Sequence, residues 1–187
     1  MKEIRLIDYL KEKAVFSVQD IQRIDSCSRE YGKLVLNRLM KRKLIKRITR
    51  NKYTVQKDIL VVASNLNTPS YISFWSASSY YGYTEQILKT VYVACTRKIK
   101  EMAFEGYNIK FVAVKNMFGY KKIKTENGEI FVVDQEKLLI DSLSRVEEMG
   151  NFDEIENIFQ KAEIAKEKII EYLKKMDNIS LTKRVGY

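Results

Sequence analysis

The positive charge of this chain is confined to its first third. Residues 1–57 contain sixteen lysines and arginines against six acidic residues, whereas residues 58–187 contain eighteen of each. The first 57 residues therefore carry the whole net charge of +10. A chain that is basic only for solubility would spread this excess, so the asymmetry favours a nucleic-acid-binding module joined to a neutral module with a different role. Chance clustering in a lysine-rich sequence is the alternative.

Composition excludes several classes of protein. The chain has 187 residues, 45% of them hydrophobic, which is enough to bury a core. It contains no histidine, which excludes the usual zinc sites and Ser-His-Asp or Cys-His catalysis. Cys27 and Cys95 lack CxxC spacing. No apolar run approaches the roughly 18 residues of a membrane helix, and the first ten residues lack a secretory apolar segment. We therefore expect a cytoplasmic protein without a membrane segment.

The first 57 residues predict three helices followed by a β-hairpin. Ser17, with Asp20 three residues later, forms a capping pattern for a short second helix. On the third helix, Tyr31, Val35 and Leu39 recur at the spacing of one buried face. The expected elements are a first helix ending near Lys13, a second over 18–24, a third capped by Ser28 and running to about Lys43, and strands over 44–48 and 52–55.

This order of elements is that of a winged helix-turn-helix domain, which we predict for residues 1–57. In such a domain the third helix places its exposed side in the major groove, where Arg recognises guanine and Asn recognises adenine. Basic residues of the hairpin would contact phosphate. A solvated helix face and a protein-interaction module remain alternatives. The candidate DNA-binding residues are Ser28, Arg29, Lys33, Asn37 and Lys41 on the helix, and Lys46, Arg47, Arg50, Asn51 and Lys52 on the hairpin.

Residues 58–187 predict a second domain of the α+β class, with a small, mostly antiparallel sheet and C-terminal helices. Residues 65–70 contain the only proline and are typical of a linker turn. In the aromatic block that follows, we expect Phe74, Trp75 and Tyr81 to fill the core, and leave Tyr80 and Tyr83 open. From Asp134 onward the apolar residues recur at the spacing of a helix, so we expect helices there. The expected strands cover 90–95, 108–114, 118–124 and 129–133.

Three acidic residues after the last predicted strand raise the question of a metal site. The spacing of Asp134, Glu136 and Asp141 suits helix capping and contacts between elements better than metal binding. Glu136 directly precedes Lys137, which differs from the ExK spacing of many nucleases. We therefore expect no catalytic residues, no metal site and no cofactor. The alternative is a metal-dependent nuclease, or another DNA-acting enzyme, targeted by the winged helix.

Several segments resemble AbiEi-type antitoxins. Residues 71–86 read YISFWSASSYYGYTEQ and are similar to the YISLWSALSYHGLTEQ segment of that family. Residues 132–141 read VVDQEKLLID and resemble a VADPEKALLD stretch. Between them, VYVA at 91–94, TR at 96–97 and FG at 118–119 agree in the same order. The resemblance covers nearly the whole chain, with Tyr81 at the position where the family usually has histidine.

The resemblance implies a transcriptional regulator and antitoxin of a bacterial or archaeal phage-defence module, a type IV toxin–antitoxin system of abortive infection. The N-terminal winged helix would bind inverted repeats in its own promoter. The C-terminal domain would counteract a nucleotidyltransferase-like toxin without forming a stable complex with it. Residues 181–187 resemble a motif after which family members often continue, which implies that the natural C-terminal element is short or missing here.

The oligomeric state follows from the same patterns. The helices after Asp134 are amphipathic but show no sustained heptad, so no dimerisation seam is evident. Two copies with this charge excess should also repel one another. We therefore expect a monomer or weak dimer without DNA, and two copies that bind an inverted repeat of double-stranded DNA cooperatively.

Overall fold

Helices and strands both contribute to the computed structural model of this chain, which describes residues 3–186 and the side chains from Leu6 to Gly186. These residues form nine α-helices, a two-stranded antiparallel sheet and a six-stranded mixed sheet, so the α+β class is confirmed. The helices are α1 (Glu3–Glu12), α2 (Val18–Asp25), α3 (Arg29–Lys41), α4 (Ile59–Asn65), α5 (Phe74–Tyr80), α6 (Gln135–Ser144), α7 (Asp153–Lys161), α8 (Lys166–Met176) and α9 (Ile179–Gly186), with a 3₁₀ turn at Val146–Glu148. The strands are β1 (Lys46–Thr49), β2 (Lys52–Thr54), β3 (Ser70–Ile72), β4 (Thr90–Cys95), β5 (Met102–Phe104), β6 (Tyr107–Ala113), β7 (Tyr120–Thr125) and β8 (Gly128–Val133). Residue 187, which ends the C-terminal motif, lies outside the described residues.

Local capping signals fix the starts of α2 and α3. The Asp20 carboxylate accepts hydrogen bonds from the Ser17 backbone N–H at 2.8 Å and from the Ser17 hydroxyl at 2.7 Å. The Ser28 hydroxyl oxygen accepts one from the Tyr31 N–H at 3.2 Å. Both caps agree with the sequence pattern, because a side-chain oxygen here satisfies a backbone donor that lacks a helical partner.

The buried face of α3 differs from the expected one. Gly32, Leu36 and Leu39 are buried, whereas Tyr31 is 43% exposed, so its assignment to the buried face was wrong. The reason is the close approach of α2 at Gly32. A Cβ atom there would lie 3.0 Å from Cγ2 of Val18, and the missing side chain therefore rotates the buried face toward the glycine.

A short backbone bridge joins the segment before α2 to the hairpin. The Phe16 N–H donates to the Tyr53 carbonyl at 2.9 Å, and the Tyr53 N–H donates to the Phe16 carbonyl at 2.8 Å. The two rings stack with centroids 6.2 Å apart. Sequence reasoning missed this bridge because one residue is too short for a strand pattern. The hydrophobic cluster of this region comprises Leu6, Leu10, Phe16, Val18, Ile21, Leu36, Leu39 and Ile45.

The larger sheet has the strand order β5-β6-β4-β3-β8-β7. Neighbours pair antiparallel in β5–β6, β4–β3 and β8–β7, but parallel in β6–β4 and β3–β8. The sheet is therefore mixed, and larger than the small sheet that we expected. Strands β3 and β5 are additions to the predicted set, because three-residue strands carry almost no periodic signal.

Helices cover both faces of this sheet. In β3, the Ser70 hydroxyl donates to the Ser64 carbonyl of α4 at 2.9 Å, whereas the Tyr71 hydroxyl donates to Asp141 of α6 at 3.1 Å. Since successive strand side chains point to opposite faces, α4 and α6 lie on opposite sides of the sheet. Residues 65–70, expected as a linker turn, form a packed connection from α4 to β3, in which the Asn65 amide donates to the Glu129 carbonyl at 2.8 Å.

The aromatic block contributes to the core as the sequence indicated, with one addition. Phe74 is completely buried, while Trp75 and Tyr81 are half-buried and pack against the same hydrophobic cluster. Tyr83 is also buried, at 6% exposure, and its ring stacks on that of Tyr81 with centroids 5.6 Å apart. Tyr80 is partly buried. These rings therefore serve packing, and they do not form an exposed stacking platform.

Candidate functional site

The outward face of α3 is the first candidate site. All five candidate residues at this helix are exposed, and four of them, Arg29, Lys33, Asn37 and Lys41, follow one another at intervals of four. This spacing places neighbouring side chains on one side of a helix. With 13 residues, α3 is roughly 20 Å long at about 1.5 Å per residue. The result is a continuous polar and cationic row along the whole helix.

The basic residues of the hairpin differ in whether their side chains bind other parts of the fold. Arg50 is exposed at the turn, and the Arg47 Nε donates to the Thr49 carbonyl at 3.2 Å within the exposed hairpin. Lys46 instead forms an ion pair with Glu105, at the turn between β5 and β6. Lys52 donates to the Leu66 carbonyl, and to the Asn67 side chain at 3.2 Å. Burial, and then the charge of Arg97, lower the pKa of Lys52.

Asn51 holds the hairpin turn against α2. Its side-chain oxygen accepts from the Val18 N–H at 3.2 Å, and its amide donates to the Gln19 side chain at 2.8 Å. Its backbone φ of +62° is in the left-handed region, which asparagine adopts more readily than most residues. A Cβ atom at Gly32 of α3 would also lie 3.0 Å from Cγ2 of Val18. The hairpin turn, through Asn51, and the first half of α3, through Gly32, therefore both lie close to Val18 at the start of α2.

The cations of this region differ in their pairing. Among the described residues, no carboxylate lies within 4.0 Å of the charged groups of Arg29, Lys33, Lys41 or Arg50. These four exposed cations, here together called the α3–turn surface, are therefore not compensated by an acidic partner among the described residues. Such cations attract anions and accelerate association with them.

Two residues on the same face escaped sequence reasoning. Leu34 is 54% exposed although it is apolar, and Arg38 is exposed one turn further on. The helical period that placed Lys33 and Asn37 outward also places these residues outward, so the signal was present in the sequence. Leu34 was missed because an apolar residue within a helix is usually assigned to the core.

A buried charge cluster is the second candidate site. Lys137 of α6, with 0% of its side chain exposed, forms an ion pair with Asp141, with 1% exposed, one turn later. The other oxygen of Asp141 accepts from the Tyr71 hydroxyl at 3.1 Å and from the Ser73 hydroxyl at 2.9 Å. Lys137 also donates to Tyr71 at 3.4 Å. The cluster is fully paired and closed to solvent, so it joins α6 to β3 and presents no group to a ligand.

The enclosure of this cluster depends on Gly119. A Cβ atom at this glycine would lie 2.8 Å from Cβ of Lys137, and its φ is +67°. The Lys137 ammonium lies over the Phe118 ring, 5.1 Å from its centroid. Phe74, directly after Ser73, also has a positive φ of +54°, which is rare for an aromatic residue. Packing around the cluster therefore holds the backbone at Phe74 and Gly119 in conformations with positive φ.

The acidic residues at the start of α6 bind other elements of the fold. One Asp134 oxygen caps α6 by accepting from the Lys137 N–H at 2.8 Å, and the other accepts from the Tyr172 hydroxyl at 2.7 Å. Lys168 of α8 lies 3.1 Å from Asp134 and 2.8 Å from Glu136. These contacts agree with the expected capping and inter-element roles.

Ionisation in this network follows from its hydrogen bonds. Burial and the hydrogen bond to Asp134 raise the pKa of Tyr172 to about 12. Burial disfavours the charged form of Glu136, but the hydrogen bond from Lys168 outweighs it and holds the pKa of this carboxyl below its ordinary value. At neutral pH the Tyr172 hydroxyl therefore stays protonated and donates, while Glu136 stays charged and pairs with Lys168. These contacts hold α8 against α6.

The remaining reactive side chains occupy structural positions. Both cysteines are free thiols, and burial raises the pKa of Cys95. Among the side chains described, from Leu6 to Gly186, no three histidine, cysteine or acidic groups are placed so that they could hold a metal ion. Across residues 3–186, none of the helices combines the length and the apolarity that a membrane span requires.

Comparison with known proteins gives no further guide. No protein-family model matches this chain, and no curated protein matches it significantly.

Proposed function

We propose that this chain is a DNA-binding transcriptional regulator whose residues 1–57 form a winged helix-turn-helix. The order of α1, the Phe16 bridge, α2, α3 and the β1–β2 hairpin supports this proposal. The bridge adds a third backbone segment to the two-stranded sheet, as a winged helix requires. In this arrangement α2 braces α3, and the hairpin is the wing.

The single observation that carries the proposal is the uncompensated α3–turn surface. DNA presents one negative charge per approximately 1.7 Å of helix axis, so a row of unpaired cations gains affinity by releasing counterions. A major groove about 12 Å wide admits one helix. Arg29, Lys33 and Asn37 would then face base edges and nearby phosphates, while Arg47 and Arg50 would contact phosphate.

The contacts of three wing residues refine the proposed interface. Asn51 and Lys52 have protein partners, and Lys46 is paired with Glu105, so we assign these residues to the support of the wing. They would position Arg47 and Arg50 without themselves reaching the nucleic acid. The proposed contact set is therefore smaller than the sequence-based one.

The proposed interface can be tested by measuring how the affinity for duplex DNA depends on salt. We expect Arg29→Ala/Lys33→Ala/Lys41→Ala in the full chain to bind duplex DNA about 100-fold more weakly at low salt, and to reduce the slope of log K against log salt by about three units. Fluorescence anisotropy over a salt series measures both quantities. Lys98→Ala/Lys100→Ala/Lys115→Ala removes the same charge from exposed positions elsewhere, and should change little.

Equal losses in these two variants would show that net charge alone drives binding, and would overturn the proposed interface. Failure of the unaltered chain to retard any duplex would overturn DNA binding itself. Cleavage of plasmid DNA that depends on Mg²⁺ and survives purification would instead favour the nuclease alternative.

We also propose the antitoxin role that the AbiEi resemblance implies, and assign it to residues 58–187. Tyr71 and Ser73, in one of the two longest resembling segments, contact Lys137 and Asp141 in the other. The similar segments therefore form the centre of one structural unit. The triple α3 variant separates the two roles. It should still rescue cells from the cognate nucleotidyltransferase-like toxin while losing repression of its promoter, and joint loss of both would contradict this division.

A further inference from the structure

Leu34 is an apolar side chain at the centre of a charged helix face. It is 54% exposed, and the helical period places Glu30 one turn before it and Arg38 one turn after it. Lys33 and Asn37 flank it, and both are exposed. The buried face of α3 lies on the opposite side, at Gly32, Leu36 and Leu39. Leu34 therefore contributes to the outer surface, and not to the core.

A partner for this face must combine two properties. The cations around Leu34 favour binding to a polyanion. Leu34 itself would bury surface only against a small apolar group that lies among the polar groups of that polyanion. The major groove of B-form DNA meets both requirements, because the thymine 5-methyl is the one apolar group that it displays. RNA does not, since uracil lacks the methyl and the A-form major groove is too narrow and deep for side chains.

We infer that Leu34 reads a thymine methyl group, and that the nucleic acid of this protein is therefore thymine-containing B-form DNA rather than RNA. This inference rests on the proposed function and adds a base preference to it. Arg29 and the other cations supply affinity for any duplex, while Leu34 favours sites that place a thymine beneath the middle of α3. Burying one methyl against Leu34 corresponds to about a fourfold gain in affinity.

Replacing thymine with deoxyuridine tests the inference, because it removes only the methyl group and leaves the B-form duplex and its charges intact. The probe is a duplex selected from a randomised pool by the full-length protein, with each thymine then replaced singly by deoxyuridine. We expect the unaltered protein to lose about fourfold in affinity at one or two positions. Leu34→Ala should bind the thymine duplex several-fold more weakly and become indifferent to the same replacements.

Ile170→Ala is the matched control. Ile170 is also 54% exposed, but it lies on α8, so this variant should keep the sensitivity to deoxyuridine. Circular dichroism should show unchanged helix content for Leu34→Ala, since Leu34 is exposed and alanine favours helices.

The outcomes separate this inference from the proposed function. If Leu34→Ala remains as sensitive to deoxyuridine as the unaltered protein, or if an RNA duplex of the same sequence binds equally well, Leu34 does not read the methyl although nucleic acid is bound. If no duplex binds at all, the proposed function fails, and this inference fails with it.

Discussion

The cations of α3 and the single lysine of α6 lie in opposite environments. Arg29, Lys33 and Lys41 extend into solvent, with no acidic partner within the described residues. Lys137 is completely enclosed and neutralised by Asp141, whose second oxygen is occupied by two hydroxyl groups. Because an unpaired charge remains available to a partner and a buried pair does not, the same residue type serves binding in one region and architecture in the other.

Two lysines of the hairpin stand between these extremes. Lys46 and Lys52 belong to the basic N-terminal region, yet both are engaged with residues of the second region. The charge of a segment therefore indicates its general role, but only contacts show which of its cations are free.

Removing one member of the buried pair should have the largest effect. Asp141→Asn leaves the Lys137 charge buried without a counter-charge, since only the neutral amide and the Tyr71 hydroxyl remain beside it. We expect a loss of about 3–5 kcal/mol in the free energy of unfolding. Lys137→Met should cost less, because the Asp141 carboxylate keeps two hydroxyl donors. The double variant should recover part of the loss, since neither charge is then left alone. Urea unfolding followed by circular dichroism measures all three. Losses below about 1 kcal/mol would mean that water reaches the cluster.

The packing over Lys137 should have the next largest effect. Gly119→Ala introduces a Cβ atom at 2.8 Å from Cβ of Lys137 and a side chain at φ +67°, so we expect a loss of about 2–4 kcal/mol. Gly106→Ala is the matched control, because its φ is +81° but no atom lies within 4 Å of the new Cβ. It should cost only the backbone strain, about 1–2 kcal/mol. Equal losses in urea unfolding would contradict tight enclosure of Lys137.

Features written in a few neighbouring residues were predictable from the sequence. Three helix starts carry a capping pattern in the sequence: Ser17 with Asp20, Ser28, and Asp134. In each, a short polar side chain hydrogen-bonds the backbone only a few residues away. The row from Arg29 to Lys41 was predictable for the same reason, since its spacing is that of the helix itself. These signals predicted the starts of α2, α3 and α6.

Features that depend on distant contacts were not predictable. Strand β3 is three residues long and buried on every side chain, so it lacks the alternation that marks a half-buried strand. Its parallel pairing with β8 joins residues that are about 60 positions apart. Likewise, no local pattern distinguishes Lys52, which bonds the turn after α4, from Arg50, which remains exposed. Partner choice is a property of the folded chain.

The smallest expected effect concerns an acidic residue within the basic region. Burial disfavours the charged form of Asp20, but hydrogen bonds from Lys13 and Ser17 outweigh it and lower the pKa of this carboxyl. A carboxyl whose pKa is lowered by folding stabilises the folded state above its unfolded pKa of about 3.9, and that stabilisation is lost as the pH falls through the folded-state value. Asp20→Ala also removes the cap of α2 and should cost about 1 kcal/mol at pH 7.

The pH dependence of this variant decides whether the charge of Asp20 matters beyond its role as a cap. The difference in free energy of unfolding between the unaltered protein and Asp20→Ala should shrink as the pH falls from 5 toward 2, because the Asp20 carboxylate is then protonated in both folded and unfolded chains. Urea unfolding at several pH values measures it. Asp8→Asn removes an exposed ion pair with Lys11 and should have a smaller effect at pH 7. A difference that stays constant with pH would mean that neither the hydrogen bonds nor the ion pair with Lys13 favours the charged form of Asp20, and would contradict the lowered pKa.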